Sequence, residues 1–163
     1  MFIAMIGEEL TMTSEPSPKM FAATDKFAVN SGDAILLVAR ILTGWIFLTG
    51  GWGKLMNMQG NAKYLASLGI PNPEFWAWPA MAGELVIGIA LILGLATRYT
   101  SLFAVVYVII ATALAHRYWQ FPAAQQGNQY AHFCKNLAMM GGLLVLYLMG
   151  LGRFSVDRWM RAP

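Results

Sequence analysis

Four stretches of the chain are nearly free of charge, and each is long enough to cross a bilayer. They cover about residues 34–56, 75–96, 99–118 and 130–151. Their ionisable residues are few: Arg40 and Lys54 in the first, Glu84 alone in the second, His116 and Arg117 at the end of the third, His132 and Lys135 in the fourth. At 1.5 Å per residue such helices measure roughly 27–35 Å, against a hydrocarbon core of about 30 Å. Backbone groups in lipid must be satisfied within their own segment, so all four stretches are predicted as helices. The expected fold is all-α: an integral membrane four-helix bundle spanning residues 33–151, with a tail before it (1–32) and a short basic tail after it (152–163). The connection at Ala96–Tyr99 is a tight turn, which makes the second and third spans antiparallel neighbours. Between the first two spans, Ala62–Leu68 reads as a short interfacial helix ahead of the Gly69-Ile70-Pro71 break. Trp76, Trp78, Tyr118, Trp119 and Tyr130 fall at span ends on one side, where amphipathic aromatics form an interfacial belt.

Composition agrees with this pattern. Of 163 residues, 58% belong to the AVILMFWYC set and only 12% are charged, about half the charged share of a soluble domain. That excludes a disordered chain, a nucleic-acid-binding domain and most soluble enzymes, and makes the lipid bilayer the first partner. The single cysteine, Cys134, excludes an intramolecular disulfide and a C-x-x-C redox motif. No Cys or His cluster has metal-site spacing, so no metal is expected. The short apolar opening is followed by Glu8 and Glu9 without a basic residue before it, so a cleavable signal peptide is not expected. Four spans put both termini on one side, with Lys19, Lys26, Arg98, Arg153, Arg158 and Arg161. Lys63 and Arg117 lie on the other side, with Lys54 and Lys135 near the boundary. The positive-inside rule then favours cytoplasmic N- and C-termini.

The charges inside the spans carry the functional information, because a charge near the bilayer centre costs about 2.5–3.5 kcal/mol even on lenient scales. Arg40, Gly44, Phe47, Gly51 and Lys54 recur at helical spacing and form one face. Met81, Glu84, Gly88 and Leu91 form a second stripe, and His132, Lys135, Met139 and Gly142 a third. Each is expected to face the bundle interior. Counted from the cytoplasmic ends, Arg40 lies roughly 9 Å deep, Glu84 roughly 18 Å, Lys135 roughly 24 Å and Lys54 roughly 30 Å. Arg40 is expected to reach up to Glu84, as a structural ion pair or as part of ligand or proton chemistry. Lys54 and Lys135 either join this polar cluster or snorkel to the interface. The cluster Arg40, Lys54, Glu84, His116 and Lys135 predicts a cation-rich pocket in the outer half of the bundle, between the first, second and fourth spans. Phe47, Gly51, Gly88 and Met139 are expected in its walls.

The chain resembles the DoxX family of small four-helix membrane proteins. The resemblance runs in order from Ala34 to Trp159: Arg40 with Gly44-Trp45-x-Phe47, Gly50-Gly51-Trp52-Gly53-Lys54-Leu55, Leu68-Gly69-Ile70-Pro71, Gly83-Glu84-Leu85 with Gly88, Leu93-Gly94-Leu95-Ala96-Thr97-Arg98, Lys135-Asn136-Leu137 with Gly141-Gly142-Leu143-Leu144, and Gly150-x-Gly152-Arg153-Phe154-Ser155-Val156-Asp157. It implies a bacterial inner-membrane location and a link to respiratory or redox systems. Arg40, Lys54, Glu84, Arg98 and His116 match the family's recurrent charged positions; the Lys135-Asn136 pair stands where many members carry a glutamate. Three functions follow as expectations. The first is a quinone-linked redox accessory subunit, with a bound quinone, Glu84 as a proton route and Arg40, Lys135 or His116 as stabilising cations. The second is a non-catalytic scaffold or assembly subunit, joined to other membrane subunits or to copies of itself. The third is a small-anion or metabolite carrier. A complete oxidoreductase is not expected, because the sequence has no iron–sulfur cysteine set and no dinucleotide motif.

Overall fold

The computed structural model describes residues 21–150 and 152–160. The chain divides into two compact units, Met1–Gly32 and Asp33–Pro163. Of the first, the described residues are mostly helical, and the Ser31 hydroxyl donates to the Phe27 carbonyl at 2.6 Å. Lys19 and Arg161, counted above toward the charge bias, lie outside the described residues.

Among the described residues, four long helices are apolar and long enough to cross a membrane. They are α1 (Ala22–Met56), α3 (Pro73–Leu93), α4 (Thr97–Ala115) and α5 (Ala123–Met149). Two short helices flank them, α2 (Met58–Ser67) and α6 (Val156–Met160), and a single 3-10 turn, Tyr118–Gln120, precedes α5. The expected interfacial helix is α2, begun one turn earlier because Asn57 caps it: its side-chain oxygen accepts from the Gly60 amide at 2.9 Å. The first helix starts at Ala22 rather than at Ala34. The apolar run marks where lipid begins, whereas the helix needs only favourable backbone and continues through polar residues.

The α3–α4 turn shows why glycine stands at position 94. Gly94 ends α3 in the left-handed region, φ 67°, and the cap amides close back onto Ala90 and Leu91. Ala96 is also left-handed, φ 46°, a strained choice for a residue with a Cβ. Asp157, on α6, holds it there. Its carboxylate accepts from the Ala96 amide at 2.7 Å and the Thr97 amide at 2.9 Å, capping the start of α4. The Asp33 carboxylate accepts from the Arg153 amide at 2.7 Å, so the start of the second unit and the segment after α5 meet at this same end. It is called the turn end below. The opposite end, with α2 and His116, is the loop end.

The α1–α3 contact sets the level of every charge on these helices. A Cβ on Gly88 would come within 2.6 Å of the Leu48 amide nitrogen and 2.9 Å of the Gly44 carbonyl. Only glycine permits so close an approach. A Cβ on Gly44 would meet Ile92, one on Gly51 would meet Leu85, and one on Gly50 would meet Glu84. The two helices therefore run antiparallel with Gly44 near Gly88 and Gly50 near Glu84. Phe47, Ile87, Leu91, Ala104, Val105, Val108, Leu143 and Leu146 form the core, drawn from all four long helices. Leu36, Ala39, Tyr107, Met139 and Met140 pack around it.

Candidate functional site

The α1–α3 register separates two charges that the sequence suggests would pair. Arg40 lies level with Gly94 at the turn end. A Cβ on Gly94 would strike the Arg40 guanidinium. Glu84 lies level with Gly50, ten residues further along α1, or roughly 15 Å. An arginine side chain does not bridge that gap. Arg40 instead donates to the Phe154 carbonyl, with the Asp157 carboxylate offsetting its charge. It is 1% exposed, and its Nε and Nη1 have no hydrogen-bond partner among the described residues. The expected Arg40–Glu84 pair is thus not formed, because span limits read from hydropathy place Arg40 about one turn too deep relative to the second span.

Glu84 pairs with Lys54. The lysine Nζ lies 2.5 Å from Glu84 Oε2, with side-chain exposures of 29% and 15%. Tyr107, on α4, adds its hydroxyl, which donates to the Ala80 carbonyl at 2.9 Å and lies 3.3 Å from Glu84 Oε1. Gly50 leaves the space the carboxylate occupies, since a Cβ there would sit 2.7 Å from Oε2. Glu84 stands near the middle of α3, so this ion pair is deep in the span.

Toward the loop end the polar groups continue. The His116 and His132 rings stack, centroids 5.0 Å apart and 19° between planes. His116 Nδ1 is 2.9 Å from the Gln129 side-chain oxygen, which can only accept, so Nδ1 carries the proton. The Lys135 ammonium donates to His132 Nδ1 at 3.2 Å. That leaves the His132 proton on Nε2. Asn136 is buried; its amide donates to the Thr112 hydroxyl at 2.8 Å, which donates on to the Val108 carbonyl at 2.6 Å.

These groups surround a cavity of about 230 Å³. Of the residues expected to form it, Lys54, Glu84, His116, Lys135, Phe47 and Met139 line it. Arg40, Gly51 and Gly88 do not. Gly51 and Gly88 are consumed by the α1–α3 contact, so Gly50, one residue away, provides the space instead. The cavity also draws on α4, through Tyr107, Val108 and Ala111, and not only on the first, second and fourth spans. The stripe on α5 is turned by about one residue. Asn136, Leu143 and Leu146 are the buried positions, while Lys135 and Gly142 are exposed. An asparagine that satisfies its amide with Thr112 is cheaper to bury than a lysine. Tyr107, Asn136 and Gln129 carry no formal charge, and a search for charged positions passes over them.

A family model described as DoxX matches residues 35–117, just over half of the chain. The chain belongs to the DoxX family. A second model, the SURF4 family, matches residues 80–161, the part that holds α4 and α5 whole. Among curated relatives of this DoxX protein, the inner membrane protein YphA of Escherichia coli (strain K12) is 34% identical over 76% of the chain and 89% of YphA. The inner membrane protein YqjF of the same organism is 34% identical over 77% of the chain and 92% of YqjF. CatD of Bacillus subtilis (strain 168), whose name proposes an oxidoreductase, is 37% identical over 44% of the chain and 53% of CatD. No solved structure gives a significant match. With four apolar helices and inner-membrane relatives, the DoxX protein is a multi-pass protein of the inner membrane.

Proposed function

We propose that this DoxX protein is a quinone-linked accessory subunit of a respiratory or redox system, and that the cavity receives the quinone head group. The observation that carries the reading is a polar cavity inside an apolar bundle. At about 230 Å³ it is below the roughly 300–1,000 Å³ of pockets for whole drug-sized ligands. A ring fits there while an isoprenoid tail stays in lipid. The donor set suits two ring carbonyls: the Lys54 ammonium, which reaches from the end of α1 to Glu84, and Lys135 nearer the loop end. Phe47 and Tyr107, edge to face with centroids 6.4 Å apart, supply an aromatic wall. A quinone, when bound, carries two electrons and two protons between partners. Glu84 and Tyr107 hold a proton-exchanging pair at its inner end, and His116 leaves Nε2 as a proton-accepting ring nitrogen at its outer end. The proposed oxidoreductase in the name of CatD supports the redox side of the reading. Electrons come from a partner protein.

The turn end is assigned to the cytoplasm, because Arg98, Arg153 and Arg158 cluster there against Lys63 and Arg117 at the loop end.

The test is photolabelling of the purified protein with an azido-quinone, together with absorbance of its extracted lipids. Label on α1, α4 or α5 residues that line the cavity, lost in Lys135→Met, supports the assignment. Label confined to lipid-facing residues such as Trp45 and Trp52 overturns it. Stable co-purification with a larger complex and no quinone would then transfer the reading to a scaffold.

A further inference from the structure

The charges around the cavity do not cancel. Its ionisable lining is Lys54, Glu84, Tyr107, His116, His132 and Lys135. Glu84 is spent on Lys54 at 2.5 Å, the one ion pair among the described residues. Lys135 has no carboxylate partner among them; its ammonium meets the His132 Nδ1 at 3.2 Å instead. That contact puts the His132 Nε2–H on the far side of the ring, so the ammonium alone faces an anion here. The remaining walls at this level are apolar or already satisfied: Val108, Ala111 and Met139, and Asn136 bonded to Thr112. An unmatched cation beside a low-dielectric cavity attracts an anion more strongly than the same cation would in water.

We infer that the loop-end half of the cavity is an anion subsite, in which the Lys135 ammonium binds the acidic group of a small aromatic ligand. Its ring lies toward Phe47 and Tyr107. The inference rests on the cavity being a ligand pocket, as proposed above, but not on that ligand being a quinone. A carboxylate accepts from the ammonium, and charge-assisted hydrogen bonds of this type are about twice as strong as neutral ones. The stacked His116 ring closes the subsite on its loop side. The acidic group arrives on a soluble aromatic acid; a lipid head-group phosphate, which brings no ring, is the competing anion at Lys135 that the experiment distinguishes.

The experiment compares 4-azidobenzoate with 4-azidobenzamide, photoprobes of nearly equal size that differ by one charge. The full-length protein is held in phosphatidylcholine nanodiscs. The expected result is labelling of cavity-lining residues by the acid at concentrations about tenfold lower than the amide requires. Lys135→Met should abolish that advantage and Lys135→Arg should keep it, with an unchanged tryptophan-fluorescence unfolding curve showing that each variant is folded. Replacing part of the lipid with phosphatidylglycerol identifies the source: suppression of acid labelling assigns the subsite to a head group, and unchanged labelling assigns it to a soluble acid. Equal labelling by acid and amide, or an advantage that survives Lys135→Met, overturns the inference. Duroquinone as competitor keeps the two readings apart. If it fails to compete while the charge dependence persists, the quinone reading falls and the subsite stands. If it competes and charge makes no difference, the reverse holds.

Discussion

Replacing Lys54 with methionine removes the cation that Glu84 holds at 2.5 Å and leaves the carboxylate with Tyr107 alone. Glu84 has nine residues of α3 on one side and eleven on the other, roughly 14–16 Å from either helix end, too deep for a short side chain to reach water. A lone charge at that depth costs about 2.5–3.5 kcal/mol on insertion scales. Breaking a fully buried pair costs about 3–5 kcal/mol. The pair is partly open to the cavity, so the lower figures apply, and Lys54→Met should lose about 3 kcal/mol. Glu84→Gln should lose less, about 1–2 kcal/mol. Lys54 stands two residues from the end of α1 and can extend to the interface once released. The double variant leaves no charge unpaired and should lose about 2 kcal/mol, well under the sum of the single losses. The assay is reversible unfolding in mixed dodecylmaltoside and SDS micelles, followed by tryptophan fluorescence. Arg40→Gln with Glu84→Gln is the control cycle: those residues lie roughly 15 Å apart along the helices and should add within about 0.5 kcal/mol. Additivity in the Lys54–Glu84 cycle, or coupling above about 1 kcal/mol in the Arg40–Glu84 cycle, would refute the reasoning.

Three other outcomes are expected. Gly88→Leu should abolish accumulation in the membrane on immunoblots, because its side chain meets the Leu48 amide and Gly44 carbonyl rather than empty space; Gly142→Leu, with nothing within 4 Å, should accumulate normally. Asp157→Ala should lower stability by about 1–2 kcal/mol by uncapping α4, and Ala96→Gly should be neutral or stabilising by up to about 1 kcal/mol through relief at φ 46°, both measured by the same unfolding assay. In a Cys134→Ala background, Lys63→Cys should react with an impermeant maleimide in intact spheroplasts and Arg98→Cys should not; the opposite pattern would invert the proposed orientation.

The face of α1 was legible because helical spacing and chemistry agree there. Arg40, Gly44, Phe47 and Gly51 are the buried residues of that helix, as the +4, +3, +4 pattern requires. On α5 the two signals disagree. The charged stripe through His132 and Lys135 marks one face as the interior, but the core prefers Leu143 and Leu146, one position round, and carries Asn136 in with them. Helix register was not legible at all. Hydropathy marks span limits to within a turn or two, and pairing Arg40 with Glu84 required an accuracy that only the Gly44–Gly88 contact supplies. Tyr107 was missed because a tyrosine in an apolar helix carries no charge to mark it. Asp157 was visible in the Ser155-Val156-Asp157 ending, but its role needs the α3–α4 turn folded beneath it.

The two charged centres then differ in kind, although the sequence presents their members alike. Around Arg40 there is no room: Gly94 cannot bear a Cβ, Ser155 and Asp157 are buried, and the guanidinium donates to the Phe154 carbonyl. Filling that site with a ligand would require moving α6 off the α3–α4 turn, which would also uncap α4. Around Glu84 and Lys135 the opposite holds. One cation is satisfied, one is not, and about 230 Å³ lies between the helices that carry them. A site that only stabilised the bundle would gain from closing that space, since lost packing contacts weaken a core. Gly50 is small for the Glu84 carboxylate, which a Cβ there would strike, and the open space lies beyond it among Phe47, Val108 and Met139. The turn end therefore locks the fold, and the loop end is where a bound group has both space and unmatched charge to meet it.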